Sequence, residues 1–142
     1  MNERIALAQT AAEISSCFEV MRELRTHLAT ETEFVERVQL QETEGYRLAY
    51  LEAAGAVRAV AGYRIFDLLF SGRTLYVDDL VTRAADRSAG FGGRLFDWLV
   101  AEARREKCQA FSLDSGVQRF DAHRFYLMKR MEIAAHHFTL EL

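Results

Sequence analysis

Seven residues, Arg87-Ser88-Ala89-Gly90-Phe91-Gly92-Gly93, constrain this chain more than any other stretch. A β-type run, Leu75-Tyr76-Val77-Asp78-Asp79-Leu80-Val81, leads toward them. An amphipathic helix leaves them, with Leu95, Phe96, Leu99, Val100 and Ala103 recurring at helical spacing. Strand, glycine-rich turn and helix together aim free backbone N–H groups at an anion. Glycine removes the Cβ that would hold the anion off, and the helix dipole adds about half a positive charge there. The arrangement suits a pyrophosphate.

Two familiar phosphate loops are excluded. A dinucleotide fingerprint reads G-x-G-x-x-G after a first strand, whereas this stretch lies past the middle of the chain and reads R-x-x-G-x-G-G. No Lys-Ser or Lys-Thr follows the glycines, so it is not a P-loop. At 142 residues, with 50% hydrophobic and 27% charged, the chain has the size and balance of one globular domain, 1–142. A net charge of −3 argues against nucleic acid as the main partner. Cys17 and Cys108 are too few and too separated for a disulfide framework or a zinc site, and read as reduced thiols of a cytoplasmic protein. Neither a signal-type apolar run nor a membrane-length segment is expected.

Taken in order, Arg4–Ala8 reads as a short strand. Ile14, Phe18, Met21, Leu24 and Leu28 then mark one helix face, opened by a Thr10/Glu13 capping box. Thr30 with Glu33 opens a second helix through Phe34, Val35 and Val38, ended by Gly45. Tyr46–Leu51, Val57–Phe66 and Leu75–Val81 form a three-stranded meander, the first pair joined by a turn over 52–56. After the long helix, Gln109–Asp114 predicts a strand beside its predecessor through a right-handed crossover. A last helix over Gln118–Lys129 and a final strand within Ile133–Leu142 complete the order β-α-α-β-β-β-α-β-α-β.

That order, with R-x-x-G-x-G between the fourth strand and third helix, resembles the GNAT superfamily of acyl-CoA-dependent N-acetyltransferases. The resemblance implies an α/β (α+β) fold, a central mixed sheet with helices on both faces. It implies transfer of an acetyl group from acetyl-CoA to an amine. It assigns the pyrophosphate to Arg87, Ser88, Ala89, Gly90, Phe91, Gly92 and Gly93, and the pantetheine to backbone groups of Leu80, Val81 and Thr82, exposed where the fourth and fifth strands splay. His123-Arg124-Phe125-Tyr126-Leu127 is similar to the family segment whose tyrosine protonates the departing thiolate, a task a phenol suits. Arg119 stands two helical turns before Tyr126, where many members carry a CoA-binding asparagine. Asp114, at the end of the fifth strand, matches the place of a catalytic glutamate in some members. Arg130-Met131 departs from the usual Gly-Phe pair.

Asp79 should point toward the splay and bind the amine or order a water relay, and Asp78 should face the other way by strand alternation. An Asp114-Ser115 helix cap is the structural alternative for Asp114. His27, His123, His136 and His137 make no metal-binding spacing, and no metal is expected. Glu31, Glu33, Glu36, Glu42 and Glu44 give the second helix acidic character, which favours a cationic acceptor. Acetyl-CoA and an amine are the expected partners, with no nucleic acid and no membrane; a homodimer is compatible. The competing reading is a CoA-binding regulatory or dimerisation domain without turnover.

Overall fold

Thr10 opens the helical part as its capping box requires: its Oγ1 accepts from Glu13 N–H at 3.1 Å while Glu13 accepts from Thr10 N–H at 3.0 Å. The expected single helix nevertheless breaks at Cys17. Ser16 Oγ and Cys17 Sγ both donate to the Glu13 carbonyl, and Cys17 N–H tightens onto Ile14 instead. Such back-bonding bends a helix.

The computed structural model describes residues 2–142. It contains β1 (Glu3–Leu7), α1 (Ala11–Ser16), α2 (Phe18–Leu24), α3 (Glu31–Glu42), β2 (Arg47–Ala53), β3 (Ala56–Leu68), β4 (Gly72–Thr82), a 3₁₀ turn (Ala84–Asp86), α4 (Phe91–Arg105), β5 (Ala110–Leu113) and α5 (Phe120–Met128). The chain forms two compact units, one through Ser112 and one from Leu113 onward.

In the first unit the strands lie in the order β1-β2-β3-β4-β5, with β1 through β4 antiparallel in succession. Alternation along the strands sends Leu48, Tyr50, Val60 and Val81 to one face, where they pack with Ile14, Phe18, Met21, Phe34 and Val38 of α1–α3. The opposite residues, among them Leu51, Tyr63, Leu75 and Val77, are buried with Leu95, Phe96 and Leu99 of α4 on the other face. Tyr63 meets Trp98 edge-on at 6.3 Å and donates to the buried Glu102 carboxylate at 3.2 Å. Helices therefore cover both faces of the sheet. The β2–β3 turn is tight, with Ala54 and Gly55 both in the left-handed region.

In the second unit α5 begins at Phe120, two residues later than expected, and Asp114-Ser115 does not cap it, since Arg119 occupies that position. The final strand does not form. Residues 132–142 are exposed and carry no strand, and no backbone hydrogen bond joins them to other described residues. Alternation of Phe138, Leu140 and Leu142 supplies a strand-like face, but a strand also needs a neighbour to pair with.

Candidate active site

The glycine segment does what its composition demands. Ser88 and Gly90 both adopt positive φ, at 71° and 87°, folding the chain sharply onto α4. Gly90 caps the helix without a side chain, and the first intrahelical bond is Arg94 N–H to the Gly90 carbonyl. The N–H groups of Phe91, Gly92 and Gly93 thus have no backbone acceptor among the described residues. Arg87, Ser88, Ala89 and Gly90 are exposed. A Cβ on Gly92 would stand 2.5 Å from Thr82 Oγ1, so the end of β4 and the start of α4 touch only because this residue has no side chain. Arg94 lies at the edge of the loop, its Nε donating to Glu3 at 2.8 Å and its Nη1 to the Ala89 carbonyl at 3.4 Å. Free amides, a missing Cβ and an open approach fit a phosphate group.

Leu80, Val81 and Thr82 stand opposite Ala61, Val60 and Ala59 of β3. On the other side, Gln109 N–H donates to the Arg73 carbonyl at 2.7 Å, which places the start of β5 near the far end of β4. β4 has 11 residues and β5 only 4. At about 3.3 Å per residue, β5 ends well short of Leu80.

Strand alternation fails at one place, and the failure shapes the site. Gly62 pairs with Asp79 but Tyr63 pairs with Val77, so Asp78 is an extra residue in β4. The bulge turns Asp78 to the same side as Asp79, correcting the expectation that the two diverge. Both line a cavity of about 360 Å³ bounded by α2, α3 and β4. Asp79 Oδ1 accepts from Arg25 Nε at 2.7 Å, and its Oδ2 from Tyr46 Oη at 2.8 Å. Asp78 accepts from Arg64 Nε at 2.9 Å. Burial raises the Asp78 carboxyl above the ordinary range against the opposing pull of Arg64. Burial, then the Asp79 charge, drives the Tyr46 phenol well above its usual value.

None of the α3 glutamates lines this cavity. Glu31 accepts from Ser15 Oγ at 2.7 Å. Glu33 accepts from Ala29 N–H at 3.1 Å and stands 3.6 Å from Arg37. The cavity wall presents Phe34, Arg37, Val38 and Gln41 instead. Neither the bulge nor the roles of Arg25 and Tyr46 was anticipated. Only Gly62, a glycine inside a strand pattern, hinted at close approach.

In the second unit Arg119 is the N-cap of α5 and its guanidinium hydrogen-bonds the Tyr126 phenol. Burial raises the Tyr126 phenol, while the Arg119 charge and hydrogen bond pull it down. Asp114 is exposed, its Oδ2 3.6 Å from His137 Nδ1. Among the described residues no cluster of His, Cys, Asp and Glu could hold a metal.

Residues 9–131 match the model of the acetyltransferase (GNAT) family. An uncharacterized N-acetyltransferase, YhdJ, of Bacillus subtilis is 39% identical over 118 residues, spanning 82% of each chain. Among solved structures, glucosamine-6-phosphate N-acetyltransferase of Arabidopsis thaliana superposes with a TM-score of 0.79 at 18% identity, covering 99% of each chain. Ribosomal-protein-alanine N-acetyltransferase of Brucella melitensis superposes at 0.83 with 14% identity, covering 98% of this chain and 99% of the other. At such identities the two structures establish a shared fold.

Proposed function

The chain belongs to the acetyltransferase (GNAT) family, and we propose that it moves an acetyl group from acetyl-CoA to an amine of a small molecule or peptide. The observation that carries this reading is the glycine turn, which leaves three successive N–H groups free at the start of α4. Residues 87–93 would receive the pyrophosphate, and the backbone of Leu80–Thr82, running past the end of β5, would receive the pantetheine. Bound there, acetyl-CoA would supply a thioester-activated acetyl group.

Tyr126 is the proposed general acid. A phenol carries its proton at neutral pH, so Oη would be able to give it to a departing sulfur. Arg119, beside it on α5, would meet a phosphate of the same molecule. Asp114 and Asp79 are the carboxylates proposed for the amine side. Asp79 is held by Arg25 and Tyr46 and would bind the amine or order a water, whereas Asp114, 3.6 Å from His137, would act as base.

Thermal denaturation with and without acetyl-CoA, followed by an amine panel scored for released thiol, tests the reading. A raised melting temperature together with amine-dependent thiol release is expected. Absence of both would refute it.

A further inference from the structure

The cavity on β4 carries a charge pattern that acetylation of a plain amine does not require. Asp79 is neutralised by Arg25 and Asp78 by Arg64, so neither carboxylate is left to attract a cation unaided. Arg25 is pinned by that pairing: Nε lies on Asp79, and Nη2 donates to the Asp78 carbonyl at 2.8 Å. Its Nη1 has no hydrogen-bond partner among the described residues. Arg37 of α3 lines the same cavity with a half-exposed side chain. Its pairing with Glu33, at 3.6 Å one helical turn away, is of the loose surface kind that a better-placed anion displaces. The remaining wall is largely apolar and aromatic, from Leu28, Phe34, Val38 and Tyr76, with His27 and Gln41 as its polar members.

The geometry points to an acceptor that bears an anionic group beside its amine on a small apolar body, with Arg25 and Arg37 receiving the anion. This inference rests on the acetyltransferase reading and names the substrate class of that same site. A guanidinium held in place by Asp79 offers its free edge to a carboxylate or phosphate with little reorganisation. A cavity of about 360 Å³ accommodates a molecule of amino-acid size. A purely cationic amine would meet two compensated carboxylates and the Arg37 guanidinium. The same cavity thus reverses the acceptor preference suggested by the glutamates of α3.

Matched acceptor pairs differing only in the anion provide the test: L-phenylalanine against phenethylamine, and phosphoethanolamine against ethanolamine. Both binding to the intact protein, by thermal shift, and kcat/KM for acetyl transfer are measured. The anionic member of at least one pair should be preferred by about tenfold or more, and the pair that responds identifies the anion. Arg37→Gln should cut that ratio by about tenfold, with Arg37→Lys restoring part of it. Preference for the uncharged-tail amines, or a ratio indifferent to Arg37→Gln, overturns the inference. If anionic amines bind in an Arg37-dependent way but no acetyl is transferred, the site assignment stands and the acetyltransferase reading falls.

Discussion

Gly62 allows Tyr46 to reach Asp79. A Cβ there would lie 1.8 Å from Tyr46 Oη, so Gly62→Ala must push the phenol off the carboxylate it serves. The variant should lose about 1–3 kcal/mol of stability, read as a lower urea midpoint, through overpacking and a broken, partly buried hydrogen bond. An unchanged midpoint would mean that Tyr46 has room the structure does not give it. Tyr126 is tested differently. Tyr126→Phe should lower kcat by about 100-fold or more with acetyl-CoA affinity retained, the pattern of a lost proton donor. Equal losses of affinity and rate would make Tyr126 a binding residue instead.

Among the elements, those with their own local chemistry were legible in the sequence. The α1 capping box, the β2–β4 meander and the glycine turn into α4 all follow from residues close together in the chain. What escaped depends on partners far apart. The bulge at Asp78 arises from register between β3 and β4, and α3 shows the cavity Arg37 rather than its glutamates because of how it rotates on its neighbours. The α1–α2 break comes from side chains competing for one carbonyl, which apolar spacing does not record. The final strand was read from alternation alone, and alternation cannot supply a partner. At the α4 terminus, Gly92→Asp should abolish the thermal shift given by acetyl-CoA, since it adds both a charge against phosphate and a Cβ against Thr82. A wild-type shift in that variant would remove the phosphate from this helix.

For the whole molecule, the buried acids set how stability responds to alkali. Burial pushes Cys17 and Tyr63 each up to about 12 and Tyr46 higher than normal. The folded chain therefore keeps protons that the unfolded chain releases once pH passes the ordinary thiol and phenol values. Stability must fall as pH rises through that window, so the urea midpoint should drop between about pH 8 and pH 10. A flat profile would place these groups in water. Self-association is a proposal at the same scale. Ile133, Phe138 and Leu140 are 78%, 92% and 83% exposed, and a homodimer that covers this segment would explain its apolar alternation. If so, light scattering should give a dimer mass for the wild type and a monomer mass for Phe138→Asp with Leu140→Asp; a wild-type monomer would contradict it. The central claim is transfer itself. Incubating the protein with isotopically labelled acetyl-CoA and the amine panel, and following the label by mass spectrometry, tests it most directly. The account predicts one labelled acetyl group on an amine, with Gly92→Asp and Tyr126→Phe each suppressing it. Bound acetyl-CoA with no label on any amine, or equal labelling by the Gly92→Asp variant, would contradict it.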